Sequence, residues 1–248
     1  MTTARPTPPA IDADHLPEGD AKVAAVRSMF DAIAPRYDLV NRIMTFRMDV
    51  GWRRRAVNRL ALAPGSTVLD VACGTGDLCG ELARQGLAAL GCDLSFGMLA
   101  AGRSGAPVVQ ADALRLPIAA GAVDGATCGF ALRNLVALDP FFAELARVVR
   151  PGGRIALLEV SVPANPVMRW GHGIYFGTVV PHIGALLSDP AAYRYLPKSV
   201  AYLPQPPQLV DQLVRAGFAD ARREALSGGI AQLLVATRDR GRYARLTP

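Results

Sequence analysis

Residues 66–77 read Ser66-Thr67-Val68-Leu69-Asp70-Val71-Ala72-Cys73-Gly74-Thr75-Gly76-Asp77, and this stretch decides the fold. An apolar, β-type run from Val68 to Ala72 feeds a turn built on Gly74 and Gly76, and a helix-type segment starts at Asp77. A nucleoside lying over the end of a strand requires backbone with no Cβ in its way, which glycine supplies. The next strand-like run, Ala88 to Cys92, ends on Asp93, where a carboxylate can accept both hydroxyls of a ribose. Together they point to an adenosine-containing cofactor.

Which adenosine cofactor follows from what the turn lacks. A dinucleotide fingerprint carries a third glycine three residues after the second, and Cys79 stands there. No Gly-x-x-x-x-Gly-Lys-Ser/Thr phosphate cradle is present either. Thr75 and Asp77 instead offer a hydroxyl and a carboxylate, which suit a cationic, amine-bearing ligand better than a pyrophosphate. S-adenosylmethionine, with its ribose, adenine, ammonium and sulfonium, is the cofactor expected. Gly74, Thr75, Gly76, Asp77 and Asp93 are the expected contacts. After the third strand, the Asp112 carboxylate is placed to accept from the adenine amino group and Ala113 N–H to donate to the ring.

Outward from the turn, the chain alternates. Strands are expected at 67–72, 88–92, 107–110, 124–130 and 154–160, with helices at 77–84, 95–102 and 137–149. Such alternation implies an α/β domain with a parallel sheet covered on both faces. Residues 22–34 carry Val23, Val26, Met29, Phe30 and Ile33 at helical spacing, and Pro35 stops them. Two further short helices, 36–46 and 52–60, are expected over the cofactor mouth. After Glu159 the pattern breaks into a Pro- and Gly-punctuated insertion, 162–205, expected to be a lid over the substrate. A helix (206–216) and strands 218–225 and 230–237 close the sheet, the last strand antiparallel through a Gly228-Gly229 hairpin. Residues 20–238 thus read as one domain, residues 1–19 as a disordered tail and residues 239–248 as a basic C-terminal tail.

Composition narrows the classes. Half of the 248 residues are hydrophobic and the net charge is +6. No aromatic-interleaved basic stripe supports nucleic-acid binding. Four cysteines show no Cys-x-x-Cys spacing and read as reduced, buried thiols. Three scattered histidines, His15, His172 and His182, show no metal site. The N-terminus lacks a signal-peptide pattern, so a cytoplasmic location is expected. Residues 170–188 carry no Asp, Glu, Lys or Arg, yet Pro181 and four glycines interrupt them, which fits a lid better than a membrane span.

Several blocks go beyond a generic nucleoside fold. They are Phe30-Asp31-x-Ile33-Ala34-x-x-Tyr37-Asp38-x-x-Asn41 with Met44 and Trp52, then Phe130-Ala131-Leu132-Arg133-Asn134, Arg150-Pro151-Gly152-Gly153-Arg154 and Leu158-Glu159-Val160-Ser161. The insertion adds Pro163, Asn165-Pro166, Tyr175-Phe176, Pro181, Ile183-Gly184, Tyr193-Arg194-Tyr195-Leu196-Pro197 and Ser199. From about Val26 to Ala236 the chain resembles the ubiquinone/menaquinone biosynthesis C-methyltransferases, the demethylmenaquinone methyltransferase family. The resemblance implies a Rossmann-like class I S-adenosylmethionine-dependent methyltransferase fold, with a seven-stranded, mostly parallel sheet and an antiparallel C-terminal strand. It implies cofactor contacts at Thr75, Asp93, Asp112 and Ala113. The family's usual His-Arg before the N-terminal tryptophan is Asp49-Val50 here, its contact serine after the fourth strand is Gly129, and its histidine in the last strand is Leu234.

The implied reaction is methylation of a ring carbon of a prenylated hydroquinone, with a lipophilic quinol as partner. That carbon is a poor nucleophile until an adjacent hydroxyl loses its proton. Arg133 is the candidate cation for the phenolate and Asn134 the candidate orienting group; a guanidinium cannot act as the base. Tyr37 is expected to close over the cofactor, Tyr195 to line the quinone slot, and Asp38 to bind the turn backbone. The uncharged stretch 170–188 and Arg53 to Arg55 suit peripheral contact with the inner face of an anionic membrane. Methylation of another small phenolic or lipophilic metabolite, and a non-catalytic cofactor-binding scaffold, remain as alternatives. Homo-oligomerisation stays open.

Overall fold

Strand and helix runs alternate as the sequence pattern requires. The strands are β1 (Thr67–Val71), β2 (Ala88–Asp93), β3 (Val108–Gln110), β4 (Val123–Gly129), β5 (Val149–Val160), β6 (Phe218–Leu226) and β7 (Ala231–Arg238). The helices are α1 (Gly19–Ile33), α2 (Tyr37–Met44), α3 (Met48–Leu60), α4 (Asp77–Arg84), α5 (Phe96–Ala100), α6 (Leu138–Val148), α7 (Pro166–Ile174) and α8 (Pro206–Arg215). The structure is a computed structural model and describes residues 18–180, 195 and 198–241.

All seven strands join one sheet of order β3-β2-β1-β4-β5-β7-β6. β1 to β5 pair in parallel, and β7 runs antiparallel to both β5 and β6. Side chains alternate across the pleat and feed two cores. Leu69, Val71, Ile155, Leu157, Leu234 and Ala236 pack on one face with Phe141, Phe142 and Leu145 of α6 and Leu209 and Leu213 of α8. Val68, Ala156, Leu158, Leu233 and Val235 pack on the other with Trp52, Val57 and Leu60 of α3 and Leu78 and Leu82 of α4. A third cluster, Met29, Ile33, Val40, Met44, Val180 and Tyr195, holds α1 and α2 over the sheet's carboxyl edge.

Two segments depart from the sequence reading. β5 begins at Val149, not at Arg154, because Val123 pairs with Val149 before the register jumps to Gly125 with Arg154. Pro151 has no N–H for the ladder and Gly152 has a φ of 81°, so Arg150–Gly153 bulges out instead of ending the strand. The insertion, read from the sequence as a Pro- and Gly-punctuated lid with no helix assigned to it, contains α7. Pro166 starts that helix, and the Asn165 side chain caps it by accepting from Val167 N and Met168 N at 2.9 and 3.2 Å. Five π-helical residues, Tyr175–Val179, continue it. The expectations for Pro181, Ile183-Gly184, Tyr193-Arg194 and Leu196-Pro197, and for both chain tails beyond residues 18 and 241, lie outside the described residues.

Candidate active site

The chain turns outward from β1 to β2 and β3, then returns to β4 on the other side of β1, so the crevice beyond β1 and β4 is the sheet's switch point. A cleft with about 820 Å³ of open space lies there, lined by Gly74, Asp93, Asp112, Ala113, Tyr37, Phe130 and Asn134 among others. Two of its lining residues, Ala72 (φ 54°) and Phe130 (φ 61°), hold left-handed backbone that non-glycine residues rarely adopt. Gly74 and Gly76 turn the chain at φ 58° and 86°. A Cβ on Gly76 would meet Ser104 Oγ at 2.6 Å.

Asp93 sits in this cleft with its carboxylate aimed by backbone. Gly74 N donates to Oδ2 and Ser95 N to Oδ1, both at 2.8 Å, leaving each oxygen further accepting capacity. Burial pushes its pKa up, against the hydrogen bonds from Ser95 and Gly74. Asp112 is exposed at the cleft edge, where its Oδ1 accepts from Leu114 N at 2.9 Å, and Ala113 is buried behind it. Thr75 donates its hydroxyl to Asp38 Oδ1 at 2.6 Å. Asp38 therefore holds the turn through the Thr75 side chain and not through backbone.

Asp77 departs from the expectation of an open carboxylate. Arg42 grips it with two bonds of 2.9 and 3.0 Å, and Arg53 Nη2 lies 3.2 Å from its Oδ2. The same two arginines hold Asp49, which also accepts from Thr45 Oγ1 at 2.7 Å and is only 1 % exposed. Burial alone would raise the Asp49 carboxyl, but Thr45, Arg53 and Arg42 outweigh it and hold it below the usual range. The cluster ties α2, α3 and the start of α4 together.

A small polar space of about 350 Å³ joins the cleft, lined by Asp70, Thr75, Asp77, Arg53, Tyr37 and Phe130. Asp70 was not picked out from the sequence. Its oxygens accept from Thr127 Oγ1 at 2.8 Å and from Cys79 Sγ at 3.6 Å, and no cation pairs with it among the described residues. Burial pushes its carboxyl up to about 7, against the lowering effect of Thr127, Cys79 and the nearby Arg53 charge. The signal was present: Asp70 lies on β1, four residues before the first turn glycine.

Beyond Tyr37 and Phe130 opens a larger, mainly apolar chamber of about 1270 Å³. Met44, Phe46, Met48, Trp52, Met168, Tyr175, Phe176 and Ile230 line it, with Arg53, Arg133, Asp49 and His172 as its charged or titratable side chains besides the tyrosines. Tyr37 and Phe130 face all three spaces. Arg133 is buried and paired with Glu159, donating also to Phe130 O at 2.8 Å and to Ser199 Oγ at 3.1 Å. Asn134 lines the cleft instead, and its Oδ1 accepts from Tyr195 OH at 3.3 Å. Tyr195 itself is packed in the third core cluster and is not among the residues that line the chamber, whereas Tyr37 and Tyr175 are. Of the positions that differ from the usual family residues, Asp49 reaches the apolar chamber, Gly129 lines the cleft, and Leu234 is buried in the sheet core, not at the rim.

A cleft with acidic residues in its wall, sharing Tyr37 and Phe130 with an apolar chamber, suits transfer of a group between a polar donor and a greasy acceptor. Residues 18–238 match the sequence profile described as the ubiE/COQ5 methyltransferase family. The chain belongs to that family. It is 41% identical over 219 residues to the ubiquinone/menaquinone biosynthesis C-methyltransferase UbiE of Syntrophotalea carbinolica, covering 84% of this chain and 91% of that one. It is 40% identical over 223 residues to the demethylmenaquinone methyltransferase of Mycolicibacterium paratuberculosis, covering 89% and 97%. Among solved structures, an S-adenosylmethionine-dependent methyltransferase of Thermotoga maritima, a possible histamine N-methyltransferase by its title, superposes with a TM-score of 0.61 at 15% identity. That match covers 86% of this methyltransferase and 99% of that chain, and it shows the shared fold.

Proposed function

We propose that this methyltransferase moves a methyl group from S-adenosylmethionine to a ring carbon of a prenylated hydroquinone, converting demethylmenaquinol to menaquinol. The observation that carries the reading is the pair of spaces of opposite character that meet at Tyr37 and Phe130. When bound, S-adenosylmethionine supplies an electrophilic methyl group on a sulfonium. The donor set fits it. Asp93 has lone pairs free for ribose hydroxyls, Asp112 and Ala113 stand where adenine would lie, and the unpaired Asp70 faces the space left for the ammonium. Gly74, Thr75 and Gly76 shape the floor. Asp77 acts at one remove, anchoring Arg53 and Arg42.

The apolar chamber takes the quinol ring and the start of its tail. Arg133 and Arg53 place two guanidinium groups on its wall, each held by a carboxylate, Glu159 and Asp49. Such fixed cations stabilise a developing phenolate in a mainly apolar site. Asn134 sets Tyr195 and the loop after β4, which orients Arg133 and Phe130. Tyr37 and Phe130 hold ring and methyl donor in line, and orientation of this kind accounts for much of the rate.

The tail leaves by the rim. Phe46 and Met168 both line the chamber and are exposed, and Val167, Trp170 and Ile174 form the outward stripe of α7. Among the described residues no helix is long and apolar enough to cross a membrane. The proposed contact is peripheral, with this stripe resting in the lipid interface.

The test is direct. Purified protein, S-adenosylmethionine and reduced demethylmenaquinone are incubated with vesicles, and lipid extracts are read by mass spectrometry. One methyl group added to the ring is the expected product. Tight binding of adenosylhomocysteine with no methylated quinol would overturn the reading.

A further inference from the structure

Helix α1 forms one wall of the cofactor cleft, to which it contributes Val23, Val26, Arg27 and Phe30 at helical spacing. Two of its side chains fasten it to segments that line the same cleft. Near its start, Lys22 Nζ donates to Leu135 O at 2.8 Å. Near its end, Asp31 Oδ1 accepts from Ser95 Oγ at 2.5 Å and from Gly97 N at 2.8 Å. Ser95 is buried, and its own N–H aims Asp93 by donating to Oδ1 at 2.8 Å. The Ser95 hydroxyl also accepts from Met98 N at 3.1 Å, so it caps α5 while it donates to Asp31. One carboxylate oxygen on α1 is thus joined, through Ser95, to the acid placed for the ribose. The contact is close as well as polar. A Cβ on Gly97 would meet Asp31 Oδ1 at 2.9 Å, its Cα at 3.0 Å and its O at 3.1 Å, so glycine lets the two backbones approach. Arg27 Nε lies 4.0 Å from Asp31 Oδ2, a half-exposed pair that adds little.

We propose that Asp31 is a positioning residue for the cofactor: it locks α1 to α5 and the loop before it, so that the cleft wall and Asp93 hold one geometry before the nucleoside arrives. The proposal rests on reading this cleft as the S-adenosylmethionine site. Asp31 is not among the residues that line the cleft, and it acts through Ser95 and Gly97. A wall that must be ordered at the moment of binding takes that cost out of the affinity, and a wall already fixed does not. What the lock needs is an acceptor at Oδ1, not a charge. Burial pushes the Asp93 carboxyl up and the Asp31 charge adds to it, so that charge works against an ionised Asp93. Asparagine keeps an acceptor oxygen without the charge, and alanine keeps neither.

Calorimetry with adenosylhomocysteine, on full chains shown to be folded by circular dichroism, tests the lock. Expected for Asp31→Ala is a Kd higher by about tenfold or more, the scale of a lost hydrogen bond to a charged acceptor. Asp31→Asn should bind within about threefold of wild type, because both hydrogen bonds survive. Combining Asp31→Ala with Ser95→Ala should weaken binding by less than the product of the two single effects, since both break one link. With reduced demethylmenaquinone, KM for S-adenosylmethionine should rise in Asp31→Ala while kcat stays within about threefold, the split left by lost binding rather than lost chemistry. Gly97→Ala spares every hydrogen-bonding group yet separates the same backbones; it should also raise Kd, and it replaces Asp31→Ala if that variant does not fold. Wild-type affinity in Asp31→Ala or Gly97→Ala, or an Asp31→Asn as weak as Asp31→Ala, in a protein whose Asp93→Ala variant loses affinity, would overturn the role of Asp31 alone. Adenosylhomocysteine binding unchanged in Asp93→Ala would overturn the reading of the cleft and this proposal with it.

Discussion

Asp70 is the residue whose chemistry the fold changes most. In water its carboxyl would be ionised at neutral pH; beneath the glycine turn burial brings it up to about 7. Near that pH about half of the molecules carry the proton. An ammonium docking in the adjoining polar space favours the carboxylate, so cofactor binding at pH 7 is expected to release up to about half a proton. Calorimetry with adenosylhomocysteine in buffers of different ionisation enthalpy reads this as a slope. The slope should vanish in Asp70→Asn. An Asp70→Asn slope equal to that of the wild type at pH 7 would remove Asp70 from the ammonium site. That Asp93, Asp112 and Ala113 line one cleft was legible because a strand end followed by an acid is a local pattern. Asp70 lies inside a strand, where the sequence shows only a polar interruption.

At the scale of elements, α1 is fastened to the loop after β4 by one buried lysine. Lys22 Nζ donates to Leu135 O at 2.8 Å and lies 3.5 Å from the Tyr202 ring centroid. Burial lowers its pKa to about 8, with Glu18 opposing. The unfolded chain holds this proton up to about pH 10.4, so between pH 8 and that value the unfolded state binds more protons than the folded one. Stability therefore gains from Lys22 as pH rises through this window. Denaturant melts should show the wild type gaining on Lys22→Met by on the order of 1–3 kcal/mol between pH 7.5 and 10. A difference that stays flat with pH would refute the assignment. Element boundaries were legible where caps and breakers act locally, as at Pro35 and Asp77. α7 was not, because Gly171 and Gly173 mask a helix whose outward stripe and chamber-facing His172 are recognisable only once it is in place.

For the whole molecule, α7 contributes Met168 and His172 to the apolar chamber and carries the exposed stripe Val167, Trp170 and Ile174, while Phe46 lines the same chamber from the turn before α3. Trp170 on α7 and Phe46 at the chamber are each 71 % exposed, an unusual state for large apolar side chains. The backbone at Phe46 and Arg47, at φ 50° and 62°, turns sharply between α2 and α3 and presents the Phe46 ring outward beside Tyr175. Interfacial aromatic anchoring predicts that Trp170→Glu lowers co-sedimentation with anionic vesicles by at least about tenfold. Turnover on a short-chain quinol in detergent should stay within about twofold of wild type. Unchanged sedimentation would refute the proposed membrane contact of this stripe.

Sequence by itself determined the sheet, the glycine turn and the acids at its rim, because each is written in residues close together in the chain and in the twofold alternation of strands. It did not determine which charges meet. Arg42, Asp49, Arg53 and Asp77 lie on three separate helices, and Arg133 and Glu159 on different strand ends, so apart from the i,i+4 pair Asp49–Arg53 within α3 their pairing exists only after those elements pack. The tertiary structure alone decided that Asp77 is spent on arginines and that Tyr195 belongs to the core. Burial and ion pairing depend on distance through space, and a linear pattern of residue types carries no such distance.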